Sequence, residues 1–157
     1  MKIAFLGKGG SGKTTICALV ARYLNAKKYK VLIIDADINQ HLARSLGANK
    51  KNASSFKPLG IEINKIKEYL KGNNKRIKSA SSIIKTTPPG TGSNLLYFSK
   101  QNPIFNYFEK NIDGIRMMAT GEFTQEDLGV KCYHSKVGAV ELILNHLIDK
   151  EDEYVLV

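Results

Sequence analysis

The chain has 157 residues, enough for one domain with a sizeable core, and carries a formal charge of +10. It holds no apolar run long enough to span a membrane, and two cysteines, Cys17 and Cys132, do not make a disulfide framework. The excess charge is mostly lysine, 20 Lys against 4 Arg, whereas proteins that read nucleic acid favour arginine forks, so basicity alone does not point to nucleic acid.

Met1-Lys2 enters the apolar run Ile3-Ala4-Phe5-Leu6 with no signal-peptide pattern, which together with the cysteine usage predicts a cytoplasmic protein. The run itself predicts a strand covered on both faces in a parallel sheet. Residues 7–15 follow as Gly-Lys-Gly-Gly-Ser-Gly-Lys-Thr-Thr, which fits the phosphate-binding pattern G-x-x-x-x-G-K-[ST]. Gly7, Gly9, Gly10 and Gly12 let the backbone turn sharply and come close to a ligand, so successive N–H groups of Lys8, Ser11 and their neighbours can face phosphate oxygens. Lys13 is placed to reach the β- and γ-phosphates, and the Thr14 hydroxyl to ligate Mg²⁺, with Thr15 beside it at the positive end of the next helix. That helix is announced by Ile16, Leu19, Val20, Tyr23 and Leu24 on one face, which is expected to be the buried one. Val31-Leu32-Ile33-Ile34 predicts a second buried strand, closed by Asp35-Ala36-Asp37. Asp35 has two readings, a functional carboxylate or a strand-end cap for the following helix.

The segment Lys8-Gly9-Gly10-Ser11-Gly12-Lys13-Thr14-Thr15 resembles the deviant Walker A motif of the MinD/ParA class of ATPases, and Asp35-Ala36-Asp37 resembles the aspartate pair after the next strand in the same class. The class includes the nitrogenase iron protein and the nickel-insertion ATPase of carbon monoxide dehydrogenase. The resemblance implies binding of ATP and ADP with Mg²⁺ and a nucleotide-dependent homodimer. It makes Lys8 the signature lysine that crosses to the partner's nucleotide, and Asp37 the residue that opens switch I and positions the attacking water. Lys8, Lys13 and Asp37 thus become the expected catalytic set. Here Ile38-Asn39-Gln40-His41 follows, where many members have proline or a small-residue turn.

Residues 50–85 hold ten basic residues, from Lys50 and Lys51 to Lys85, against Glu62 and Glu68. Ile61, Ile63, Ile66, Tyr69 and Leu70 predict one short helix there, stopped by Gly72-Asn73-Asn74, and residues 79–94 predict a loop. Residues 50–94 therefore read as a basic insertion. It is either a solvated surface, the favoured reading, or a patch for DNA, an anionic membrane or an acidic partner. Ile115-Arg116-Met117-Met118-Ala119 predicts a strand ending at Thr120-Gly121. Val137, Val140, Leu144, Leu147 and Ile148 mark a helix face, and Tyr154-Val155-Leu156-Val157 a last strand. In the resembled class such a strand leads into switch II and the domain continues. By that comparison residues 1–157 form the N-terminal part of a single longer P-loop domain, its C-terminal strands missing.

Cys132-Tyr133-His134 is similar in position to the Cys-x-Cys of the nickel-insertion ATPases. On two symmetry-related chains Cys132 and His134 would supply two thiolates and two imidazoles for Zn²⁺ or Ni²⁺, against the alternative of a small buried cysteine beside a surface histidine. His41 and His146 have no comparable partners.

The expected fold is α/β: a mainly parallel, doubly wound P-loop NTPase sheet in three α/β/α layers. The expected function is an Mg-ATP-binding and, if complete, ATP-hydrolysing nucleotide switch of the MinD/ParA class that assists metallocentre maturation. Within the class the alternative is a DNA-partitioning or membrane-positioning ATPase. From another class comes a non-catalytic nucleotide-binding remnant.

Overall fold

The structure, a computed structural model, describes residues 1–37, 39–49, 55–98, 101–122 and 133–157, with side chains from Lys136 onward in the last stretch. Its main sheet has five strands: β1 (Lys2–Ile3), β2 (Lys30–Asp35), β4 (Lys110–Ile112), β5 (Ile115–Ala119) and β7 (Glu153–Leu156). They lie in the order β1-β7-β2-β5-β4, all parallel except the β4–β5 hairpin. Two short strands, β3 (Leu96–Tyr97) and β6 (Leu147–Ile148), form a separate parallel pair.

The centre of the sheet follows from its side-chain alternation. Along β2, Leu32 and Ile34 enter one apolar cluster while Val31 and Ile33 enter the other, and all four are buried. The first cluster is closed by α3 (Ile63–Lys71), α4 (Pro103–Phe108) and α5 (Tyr133–His146), through Ile66, Leu70, Ile104, Phe108, Val140 and Ile143. The second is closed by α1 (Lys13–Ala26) and the four-residue α2 (Leu42–Ser45), through Ala18, Ala21, Leu24 and Leu42. Helices therefore cover both faces, and the doubly wound α/β expectation is met. No helix among the described residues is long and apolar enough to cross a membrane.

Three local readings need correction. The run at 3–6 is not covered on both faces: β1 is a two-residue edge strand paired only with β7, and Leu6 is 89% exposed. The ladder continues past it through Phe5 N–H to the Val157 carbonyl, 2.8 Å. Helix α1 is rotated from the expected face. It buries Cys17, Ala18, Ala21 and Leu24 and leaves Ile16, Leu19 and Tyr23 exposed, because small side chains let its axis sit close to Val31, Ile33 and Met117. Leu147 and Ile148 do not continue α5 but turn into β6. Lys2 Nζ donates to the carbonyls of Leu144 and Leu147, satisfying acceptors at the end of that helix.

Residues 102–114 contain structure for which no element was predicted. Asn102 accepts from the Phe105 N–H and Pro103 stands at the first turn of α4. Asp113-Gly114, both at positive φ, close the β4–β5 hairpin.

Candidate nucleotide site

The carboxyl ends of β1, β7 and β2 converge on a cavity of about 340 Å³ lined by Gly7, Lys13, Thr14, Cys17, Asp35 and Asp37. Val137 of α5 and Leu42 of α2 complete its apolar wall. This is the end of a parallel sheet where ligands bind in doubly wound folds. A larger cavity of about 600 Å³ opens at the amino ends of β2 and β5, but size does not select the site. There Arg116 already pairs with Glu109 at 2.6 Å and donates to the Phe98 carbonyl, so its charge is committed within the fold.

The loop from Ala4 to Gly12 is shaped by glycine where it must be. Gly10 and Gly12 adopt φ of 78° and 84°, a region that side-chain-bearing residues avoid, and Gly12 is the residue from which α1 starts. The loop closes on itself through Ser11 N–H to the Lys8 carbonyl, 3.2 Å, and Lys13 Nζ donates to the same carbonyl, 3.2 Å. The Lys13 ammonium is therefore held over the loop. Lys8, Gly9 and Ser11 are exposed along its rim, Thr14 is half-buried in the first turn of α1, and Thr15 faces out.

Asp35 is buried at the end of β2 and accepts from two backbone N–H groups, Asp37 at 3.1 Å and Leu42 at 3.0 Å. The second bond ties it to the first residue of α2, the geometry of a cap. Burial pushes its carboxyl above the usual range, while the two N–H bonds pull it back. Asp37 lies in the same cavity, half-buried, and accepts from the Asn39 N–H and side-chain amide.

Sequence reasoning passed over two residues that brace this turn. Thr120 donates its N–H and its hydroxyl to the Asp35 carbonyl, each at 2.9 Å. Gln40, in the left-handed region at φ 50°, sends its amide to the carbonyls of Asp35 and Asp37 and to the Thr120 hydroxyl. The available signals were the unusual Ile38-Asn39-Gln40-His41 stretch and a threonine at a strand end.

The Cys17 thiol faces the base of the cavity, and burial, reinforced by the Asp35 carboxylate, pushes it up to about 12. A thiol held this far above its free value stays protonated at neutral pH, so Cys17 is expected to resist alkylation. In a Cys132→Ser background at about pH 8, iodoacetamide should label Cys17 only after denaturation. Rapid labelling of the folded chain, read by mass spectrometry, would refute this burial.

Cys132 lies outside the described residues, and His134 is placed only by its backbone in the first turn of α5. Among the described residues no group of three or more His, Cys, Asp or Glu is arranged to hold a metal ion. His146 is buried, its ring Nδ1 2.9 Å from the Leu142 carbonyl, and burial lowers its basicity.

With this geometry in place, comparison with known proteins is consistent in one direction. Residues 3–137 match the family profile described as the CobQ/CobB/MinD/ParA nucleotide binding domain. The chain is 29% identical over 157 residues to a carbon monoxide dehydrogenase accessory protein of Rhodospirillum rubrum, covering all of this chain and 53% of that protein. It is 28% identical over 157 residues to an ATP-binding protein of Methanocaldococcus jannaschii, covering 99% of this chain and 53% of that protein. An iron-sulfur cluster carrier protein of Clostridium perfringens is 46% identical over 48 residues, 30% of this chain and 17% of its own length. The chain thus spans about half the length of the first two relatives.

Proposed function

The chain belongs to the CobQ/CobB/MinD/ParA nucleotide-binding family, and on that premise we propose that it is an Mg-ATP-dependent switch serving metallocentre maturation. The observation that carries the proposal is the meeting of Lys13, Thr14 and Asp37 in one cavity at the carboxyl ends of the strands, under a loop bent by Gly10 and Gly12. Loop N–H groups and the start of α1 would receive the phosphates, with Lys13 neutralising the β- and γ-charge. The Thr14 hydroxyl is an oxygen donor near two carboxylates, a hard set that suits Mg²⁺, which would draw charge from the phosphate oxygens. Asp37 would orient water so that its oxygen attacks the γ-phosphorus. The bond to the β–γ bridging oxygen then breaks, ADP keeps that electron pair, and the water's proton passes to phosphate or solvent.

Lys8 takes the role of a residue acting on a second copy. Its side chain is exposed on the rim, while its carbonyl accepts from Ser11 and Lys13 inside the loop. The metallocentre part rests on the carbon monoxide dehydrogenase accessory protein and the iron-sulfur carrier protein among the relatives. Cys132 and His134 remain the proposed contacts to a shared metal ion.

Lys8→Ala is expected to bind a fluorescent ADP analogue as the parent does, yet to lose ATP-dependent dimerisation and phosphate release. Equilibrium titration, sedimentation and a phosphate-release assay measure the three. Equal loss of ADP affinity in Lys8→Ala and Lys13→Ala would sink the role across the dimer. ADP binding without turnover in the parent would favour a non-catalytic remnant. A strong, salt-dependent shift of non-specific DNA would favour a partitioning ATPase.

A further inference from the structure

We propose that Gln40 is a positioning residue for ATP hydrolysis, which hooks the turn after β2 onto Thr120 and so fixes Asp37, a role that rests on the hydrolytic reading above. Gln40 holds an uncommon backbone conformation. At φ 50° it occupies the left-handed region, where a residue other than glycine persists only if its surroundings hold it there. The hold comes from its own side-chain amide. Nε2 donates to the Asp37 carbonyl, to the Thr120 hydroxyl at 3.1 Å and, at the longer distance of 3.4 Å, to the Asp35 carbonyl. The Asp35 carbonyl does not depend on this bond, since Thr120 already gives that oxygen its N–H and its hydroxyl. What Gln40 adds is a grip on the main chain of Asp37 and a tie from there to β5.

The Asp37 carboxylate itself is anchored on one oxygen. The Asn39 N–H and side-chain amide both donate to Oδ1, at 2.9 and 3.2 Å, and among the described residues no group bonds Oδ2. Oδ2 is thus the oxygen left for water, and its place is set by the main chain that Gln40 grips. Thr120 is a firm anchor for that grip. It is fully buried, it is bonded to the end of β2, and its carbonyl accepts from the Gly60 N–H at 3.0 Å. Gly60 in turn lies against α5, where an added Cβ would come within 2.9 Å of the Lys136 Cα. The hook therefore ties a surface turn to a part of the molecule held by β2, β5 and α5 together. Misplacing a catalytic group by about 1 Å costs on the order of 100-fold in rate. Phosphate binding draws instead on the loop N–H groups and Lys13, which this turn does not hold. Loss of the hook should accordingly appear in turnover and not in affinity.

The test compares phosphate release and binding of a fluorescent ADP analogue in the full chain and its variants. Gln40→Gly is the informative truncation, because glycine adopts a φ of 50° freely and only the amide hook is lost. Its kcat should fall roughly tenfold to 100-fold. The KM for ATP and the Kd for the ADP analogue should stay within about twofold of the parent, as for an interaction that matters only in the transition state. Thr120→Val, which removes the hydroxyl but keeps the shape, should show the same split. Thr120→Ser, which keeps the hydroxyl, should recover most of the rate. The proposal is overturned if a parent that turns over ATP is matched in kcat by Gln40→Gly and Thr120→Val. It is equally overturned if kcat and ADP affinity fall together, the mark of a merely structural turn, or if Thr120→Ser is as slow as Thr120→Val. A parent that binds the ADP analogue and releases no phosphate removes the hydrolytic reading itself, and the positioning role goes with it; that result is seen in the parent alone, apart from any variant.

Discussion

Lys13→Ala is expected to remove binding of a fluorescent ADP analogue, weakening it by roughly 100- to 1,000-fold, the range for truncating one side of a desolvated charge pair. In the structure the Lys13 ammonium is bent back over the loop, donating to the Lys8 carbonyl at 3.2 Å, beside the turn that Gly10 and Gly12 make at positive φ. A phosphate arriving there would meet backbone N–H groups and this one charge. Alanine leaves the N–H groups but takes away the charge, and alanine is a good helix former at the start of α1, so folding should be unaffected. Circular dichroism should match the parent while titration shows no saturation. Parent-like affinity in a folded Lys13→Ala would mean that nucleotide binds elsewhere or not through this loop.

Gly60→Ala is expected to cost about 1–3 kcal/mol of stability, an overpacking penalty out of proportion to one methyl group. A Cβ at Gly60 would lie 2.5 Å from Cβ of Lys136 and 2.9 Å from its Cα, so the clash is with the backbone of α5 as well as with a side chain. Neither neighbour gives way easily. Lys136 is buried, with its Nζ on the Glu122 carbonyl, and the Gly60 segment is bonded to β5 through Leu59 N–H to Ala119 and Gly60 N–H to Thr120, each 3.0 Å. The control is Gly138→Ala on the same helix, whose Cβ would meet only the Lys85 side chain, at 3.3 Å. Urea denaturation should place Gly138→Ala near the parent and Gly60→Ala well below it. If the two midpoints coincide, the close approach of residue 60 to α5 is wrong.

The nucleotide loop was legible because its chemistry is local: glycines, a lysine and a threonine at fixed spacing between a strand and a helix need no distant residue to be recognised. β2 and β5 were legible for a similar reason, since strands buried on both faces become continuous apolar runs. β1 misled, because the same apolar run serves at an edge when a neighbouring strand covers one side only. The buried face of α1 was missed because periodicity marks the larger apolar residues, whereas close packing against the sheet selected Cys17, Ala18 and Ala21. The Asp113-Gly114 hairpin and the Asn102-Pro103 helix start carried usable local signals. The brace formed by Gln40 and Thr120 did not, since it joins residues 80 positions apart and exists only once β2 and β5 are paired.

The strand that leads into the phosphate loop is paired with β7, Lys2 beside Val155 and Ile3 beside Leu156. During folding, then, β1 has no partner in the described sheet until Glu153–Leu156, far along the chain, are in place. α1 can coil early from local contacts, but the turn it anchors gains its second support only when β7 slides between β1 and β2. Pairings of such long sequence separation form late, because loop closure must come before any of their contacts. A nucleotide in solution can therefore select only chains in which β7 is already home between β1 and β2.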